Sequence, residues 1–203
     1  MPQRSQTVRP FSLLVKPASA DCNLRCEYCF YLDRCELYPD AKVHRMSDQV
    51  LEAMVRTYLA TDQPQHSFGW QGGEPTLMGL EFFQKAIGFQ RAYGNASRAV
   101  VSNGLQTNTT LIDDDFARHL AKFNYLVGVS IDGPAEIHNH YRHNTGGGDT
   151  HASVMKGLAA LKRNRVEYNI LTLVSRSNVE HAAEVYEYLC GMDCLYQQYI
   201  PCV

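Results

Sequence analysis

An α/β fold built on a parallel sheet is the class this sequence predicts, and three observations lead there. Short apolar, β-branched runs alternate six times with segments of helical period. One of those runs, Tyr125–Ile131, is almost continuously apolar, as a strand covered on both faces should be. Strand–helix repeats of this kind join parallel strands through right-handed crossovers. At 203 residues, 45% of them hydrophobic, the chain suits one domain with one core.

The elements follow in order. Phe11–Val15 reads as a buried first strand and leads directly into Cys22–Cys29. Ser47 can cap a helix that puts Val50, Leu51, Met54, Val55, Tyr58 and Leu59 on one face. Ser67–Trp70 is a short second strand ending in Gly72-Gly73-Glu74-Pro75. Leu80–Ala92 is helical, with Phe83, Ala86, Ile87 and Gln90 at helical spacing. Arg98–Ser102 gives a third strand, and Leu111–Phe123 a helix with Asp113, Asp114 and Asp115 favourably near its start. Tyr125–Ile131 is the fourth strand; Thr150 starts a helix that turns Val154, Leu158 and Leu161 inward; Tyr168–Val174 is the fifth strand. Ser177-Asn178-Val179-Glu180 has the form of a capping box for a helix through Cys190, with Gly191 at its stop. Cys194–Val203 is the sixth strand, and Gly146-Gly147-Gly148 is a loop.

The totals narrow the function classes. Net charge is −2 and the basic residues are scattered, which disfavours nucleic acid as a partner. No apolar run approaches the ~18 residues of a membrane span, and the polar tail of residues 1–10 lacks the apolar centre of a signal peptide. The expectation is a cytoplasmic, reducing location with no membrane partner, where seven cysteines persist as thiols or ligands.

Three of those cysteines, Cys22, Cys26 and Cys29, stand in a Cys-x3-Cys-x2-Cys spacing that brings three sulfurs to one point. Soft thiolates select zinc or an iron–sulfur cluster over hard cations. A closed zinc site wants four ligands, and Cys35 is available as a fourth; three thiols on a four-iron cluster leave one iron open. The spacing alone leaves both readings standing. Cys190, Cys194 and Cys202 lack ligand spacing and read as buried structural thiols. His138 and His140 form no metal motif and read as solvent-side or loop residues.

The cysteine motif, with Tyr28 before its third member, resembles the signature of radical S-adenosylmethionine (SAM) enzymes. Phe11–Ser19, Phe68–Thr76, Gln106-Thr107-Asn108 and Val127–Pro134 are similar, more narrowly, to the anaerobic sulfatase-maturating enzymes. The resemblance implies a partial (β/α)6 barrel, with the motifs at the C-terminal ends of strands one to four, where parallel folds place ligands. It implies an oxidoreductase in which Cys22, Cys26 and Cys29 hold a [4Fe–4S] cluster whose open iron chelates SAM. Reductive cleavage of SAM then yields a 5′-deoxyadenosyl radical, and in this family a sulfatase Cys or Ser becomes Cα-formylglycine. The implied partners are a sulfatase polypeptide and a reductant such as flavodoxin or ferredoxin.

Carried over residue by residue, Gly72, Gly73 and Glu74 meet the SAM amino group, Ser130 and Arg142 its carboxylate, and Asn108 the ribose side. Tyr28 and Ile200 lie near the adenine, and Gln71 beside the substrate. Each has a plainer reading: the glycines as an ordinary turn, Ser130 as a strand end, Arg142 as a surface cation, Ile200 as core, Tyr28 as a cover over the thiols. Thr109 stands where the family has Gly, which puts a positive φ there in question. Family members continue into a Cys-rich SPASM domain with two auxiliary clusters and an Asp proposed to take the substrate proton. The expectation here is a core over residues 11–203 without that domain, its catalytic base lying elsewhere. Two alternatives are modification of another peptide with a partner's help, and a non-catalytic zinc-binding module.

Overall fold

The structure is a computed structural model and describes residues 9–37, 42–97 and 99–202, the side chains of 35, 36 and 95–97 excepted. Six strands form one sheet: β1 (Leu13–Val15), β2 (Gln65–Trp70), β3 (Val100–Thr107), β4 (Leu126–Ser130), β5 (Glu167–Val174) and β6 (Gln197–Pro201). Every neighbouring pair is parallel and the spatial order is the chain order. Each crossover therefore steps one strand in the same direction, which is how a barrel begins to wind. Among the described residues β1 and β6 do not pair with each other, so the barrel is partial.

Among the described residues six α-helices accompany the strands: α1 (Asp48–Leu59), α2 (Gly79–Ser97), α3 (Asp114–Lys122), α4 (Ala135–Tyr141), α5 (His151–Arg163) and α6 (Ala182–Cys190). Strand alternation sets the core. In β2, His66, Phe68 and Trp70 are buried while Gln65, Ser67 and Gly69 are not. Phe68 stacks on Trp70, and Trp70 meets Phe82 and Phe83 of α2 edge to face, with centroids near 5.9 Å and 5.8 Å. Burying each such ring stabilises the fold by about 1.5–3 kcal/mol. Among the described residues no helix is long and apolar enough to cross a membrane.

Ser47 caps α1 as its sequence indicates, its Oγ accepting the Val50 N–H at 3.3 Å. Leu51, Val55, Tyr58 and Leu59 are buried, but Val50 is exposed: one step from Leu51 is a turn of about 100° away from the sheet. Strand β3 runs through Asn103-Gly104, past the expected end at Ser102. The Asn103 side chain is consumed by Trp70 Nε1–H and by a two-way amide pair with Gln90, all at 2.9 Å, so a turn-forming residue is held in a strand. Arg98, the expected start of that strand, lies outside the described residues, as do Met1–Val8 of the tail and Val203.

Helix α3 starts three residues later than expected, with Asp113 as its cap: Asp113 Oδ1 accepts the Phe116 N–H at 2.8 Å. The capping box at Ser177–Glu180 does not form. Asn178 instead accepts from Ser175 N–H at 2.8 Å and donates to the Leu173 carbonyl at 2.7 Å, locking a turn onto the end of β5. Helix α6 begins only after the tight turn Val179–His181. It ends before Gly191, whose φ of −66° any residue adopts. Of the three thiols expected to be buried, only Cys194 is; Cys190, the last residue of α6, and Cys202, just past β6, are exposed.

Candidate active site

The cysteine loop is fastened to the segment after α4. Arg25 N–H donates to the His143 carbonyl at 2.8 Å and Glu27 N–H to that of Tyr141 at 3.0 Å, flanking Arg142 on both sides. Within the loop, Cys29 N–H closes a turn on the Cys26 carbonyl at 2.9 Å. The loop's approach, Ser19–Asp21, is stitched to the end of β2 by Gly73 N–H to Ser19 O (2.9 Å) and Glu74 N–H to Asp21 O (2.8 Å). This contact dictates the two glycines. A Cβ on Gly73 would sit 2.1 Å from the Asp21 carbonyl oxygen, and Gly72 has a φ of +123° with the Ser19 oxygen 2.7 Å from its Cβ position. The close approach they permit is to the protein's own backbone.

All twelve residues singled out by sequence line a single cavity of about 240 Å³ at the C-terminal ends of the strands. Cys22, Cys26, Tyr28 and Cys29 form one wall. Gln71, Gly72, Gly73 and Glu74 come from the end of β2, and Asn108 from beyond β3. Ser130 closes β4, Arg142 follows α4 and Ile200 reaches in from β6. Burial pushes the Cys22 thiol up to about 12, against the Leu24 N–H that points at its sulfur from 3.3 Å. Burial likewise raises Cys26, with Arg142 opposing. Among the described residues no three His, Cys, Asp or Glu side chains converge tightly enough to hold a single metal ion.

Glu74 is buried, and its carboxylate accepts four hydrogen bonds. Thr76 N–H (2.9 Å), Thr76 Oγ1 (2.6 Å) and Thr107 Oγ1 (2.8 Å) reach Oε1, and Asn108 N–H reaches Oε2 at 2.8 Å. Burial raises its pKa, and these donors counter the shift. Asn108 continues the chain of contacts: its Nδ2–H donates to Asn23 Oδ1 at 3.0 Å and lies 3.8 Å from the Cys22 sulfur.

On the opposite wall Arg142 is 7% exposed. Its Nη1–H donates to the Tyr28 hydroxyl at 2.8 Å, that hydroxyl donates to Asp132 Oδ2 at 2.5 Å, and Nη1 lies 3.8 Å from the same carboxylate oxygen. Burial works against the guanidinium charge, but Tyr28, Asp132 and Cys26 more than offset it, so its pKa is raised. The Arg142 Nε is buried with no protein partner.

A cavity at the strand ends of a wound parallel sheet, walled by Cys-x3-Cys-x2-Cys, is matched at the level of family. Residues 17–189 match the Radical SAM superfamily. The chain belongs to the radical SAM superfamily. It is 40% identical over 196 residues to the serine-type anaerobic sulfatase-maturating enzyme of Bacteroides thetaiotaomicron, covering 96% of this chain and 47% of that protein. To the cysteine-type enzyme of Clostridium perfringens it is 43% identical over 194 residues, covering 96% and 52%. The chain spans about half the length of the curated relatives it matches. The solved structure of native anSMEcpe with bound AdoMet and Kp18Cys peptide superposes with a TM-score of 0.88 at 44% identity, over 95% of this chain and 51% of that one. SuiB of Streptococcus suis, at 15% identity and a TM-score of 0.67, shares the fold.

Within this radical SAM chain, two expectations change. His138 is fully buried, not solvent-side; only His140 is exposed. It sits on α4, a short helix whose pattern of seven residues is too brief to read from periodicity. The Glu74 carboxylate also staples the end of β2 to the end of β3 through its four hydrogen bonds. Thr109 does adopt the left-handed conformation, φ 60°, that its β-branch opposes. It is held there by Thr107 Oγ1 accepting its N–H at 2.9 Å and by its own Oγ1 donating to the Asn108 carbonyl at 2.8 Å. The Cys35 side chain lies outside the described residues. Asp132, inside Ser130-Ile131-Asp132-Gly133, has no sequence signal that marks it; its burial beside Arg142 is visible only in three dimensions.

Proposed function

We propose that residues 11–203 form a radical SAM core that binds a [4Fe–4S] cluster through Cys22, Cys26 and Cys29 and SAM in the cavity beside it. The observation that carries this reading is the cavity itself, which gathers three thiols and a buried, under-partnered guanidinium. The donor set fits. Three thiols on one wall of the cavity match the three-thiolate set that leaves one iron of a four-iron cluster open to a ligand. The bound groups supply one-electron reductive cleavage of SAM and hydrogen-atom abstraction from a substrate.

The chain's own residues bind and orient. The Arg142 fork, with its Nε unpaired, suits the SAM carboxylate, and Ser130 stands beside it at the end of β4. Gly72 and Gly73 line the amino side through their backbone, and Glu74 adds its carboxylate. Asn108 steers the ribose, Tyr28 and Ile200 cover the adenine, and Gln71 faces the substrate. The substrate class we propose is a Cys- or Ser-containing sulfatase peptide, with flavodoxin or ferredoxin as reductant in a cytoplasmic setting. Kinship with both serine-type and cysteine-type maturating enzymes supports the class.

The test is anaerobic reconstitution of this chain. About four irons per chain and reductant-dependent 5′-deoxyadenosine, both lost in Cys29→Ala, are the expected outcome. Zinc uptake without iron, or a full cluster that never cleaves SAM, would refute it. Aldehyde formation in an added sulfatase peptide, captured with a hydrazide, tests the substrate assignment separately.

A further inference from the structure

We propose that Asp132 is a positioning residue for SAM: it supplies the counter-charge of Arg142 without occupying the guanidinium edge that a ligand carboxylate needs. The inference rests on the cavity being the SAM site. Asp132 lies two residues past the end of β4 and is 3% exposed. Its Oδ1 accepts the Leu173 N–H at 3.0 Å, which fixes the carboxylate to β5. Its Oδ2 accepts the Tyr28 hydroxyl at 2.5 Å and stays 3.8 Å from Arg142 Nη1, an ion-pair distance too long for a hydrogen bond. The phenol fills the gap with a fixed polarity: its proton goes to Asp132 and its lone pair receives Arg142 Nη1–H.

A buried arginine needs a nearby negative charge, and the usual solution is a two-bond Arg–carboxylate fork. Such a fork would use up the very groups a ligand requires. Here the charge is delivered through one hydroxyl on one nitrogen, and Nε remains buried with no partner. A second tie holds the backbone. Asp132 N–H donates to His138 Nδ1 at 3.3 Å, and His138 Nε2 faces Thr150 Oγ1 at 3.3 Å; Thr150 Oγ1 donates to the Arg142 carbonyl at 2.6 Å. Asp132 is thus linked to Arg142 at both its head and its backbone.

Asp132→Asn breaks the arrangement at the head. If the Asn oxygen keeps the Leu173 N–H, its NH2 faces the Tyr28 hydroxyl and the phenol proton loses its acceptor; the flipped amide sets its NH2 against the Leu173 N–H instead, so one of the two ties is lost either way. The measurement is the SAM dissociation constant of the anaerobically reconstituted chain, by equilibrium dialysis, beside iron content and thermal midpoint. Asp132→Asn should weaken SAM binding about tenfold or more with iron content unchanged, the scale of losing one hydrogen bond to a charged group. On an Arg142→Gln background the same change should add little, because Asp132 acts through the guanidinium. Wild-type affinity in Asp132→Asn, or losses that simply add, would overturn the proposal. Should Asp132→Asn not fold, Tyr28→Phe removes the bridge alone: a comparable loss that is absent on the Arg142→Gln background supports the inference, and unchanged affinity refutes it. A reconstituted wild type with a full cluster and no SAM binding would sink the functional reading and this inference together; wild-type binding unaffected by the variants would sink the inference alone.

Discussion

His138 offers a test of the site's internal wiring that needs no cofactor. The imidazole is fully buried between Asp132 and Thr150. Asp132 N–H is a donor, so the Nδ1 it faces must be the bare nitrogen; Thr150 Oγ1 spends its own proton on the Arg142 carbonyl, so it receives Nε2–H. The neutral Nε2–H tautomer satisfies every contact, and a proton on Nδ1 would face another donor. Burial first, then the charges of Arg142 and His151, pull the pKa from 6.5 down to about 2. The sign follows. Above pH 6.5 neither folded nor unfolded chain carries this proton, whereas below it the unfolded chain binds one that the native state refuses, so stability falls with pH.

At 1.36 kcal/mol per unit, the 1.5 units between pH 6.5 and 5 remove about 2 kcal/mol. With a urea m-value of about 2–3 kcal/mol/M, that is a midpoint shift of about 0.7–1 M from this residue alone. Other groups titrate in the same window, so the assay is a difference: urea midpoints of the apo chain at pH 7 and pH 5, wild type against His138→Gln. Gln can keep the donor toward Thr150 but cannot titrate. The variant should be less stable at pH 7, yet lose about 2 kcal/mol less than wild type on going to pH 5. Parallel losses in the two proteins would refute the buried, neutral assignment of His138.

Three further outcomes are expected, read by thermal or urea unfolding and, for the cysteine loop, by iron uptake as well. Asn103→Leu should cost about 3 kcal/mol, because Trp70 Nε1–H and the Gln90 amide are left buried without partners; a loss under about 1 kcal/mol would mean water reaches them. Gly73→Ala should unseat the cysteine loop and lower iron uptake, since its Cβ would lie 2.1 Å from a backbone oxygen, while Gly88→Ala in the open interior of α2 should stabilise by about 0.5–1 kcal/mol. Equal effects would show that the loop contact is not tight. Thr109→Gly relieves about 1–2 kcal/mol of left-handed strain. It forfeits about 1 kcal/mol of hydrogen bonding, ~0.8 of methyl burial and about 0.5–1 of unfolded-state entropy, for a net loss of about 1 kcal/mol; a more stable variant would refute this balance.

The periodic parts of the chain were legible in advance because burial imposes its period on many residues at once. Leu51, Val55 and Leu59 on α1, or Val154, Leu158 and Leu161 on α5, announce a buried face and are buried. What sequence could not show were single polar residues whose partners lie far along the chain. Asn103 looks like a turn until Gln90 is seen to match its amide, and Ser177–Glu180 looks like a helix cap until Asn178 is spent on β5. The same holds inside the site. Most residues assigned to the cavity stand in short motifs, but Asp132 and His138 act at one remove, through Tyr28 and Thr150, and nothing about an Asp after a strand or a His on a seven-residue helix marks them. Tyr28 and Asp132 are 104 positions apart, and Tyr28 and Arg142 are 114. Parallel topology brings these positions together by setting the ends of β1 and β4 on one rim. That rim makes the electrostatics of Arg142 a property of three elements, and a substitution at Asp132 is therefore expected to be felt as a change in ligand affinity before it is felt as a change in fold.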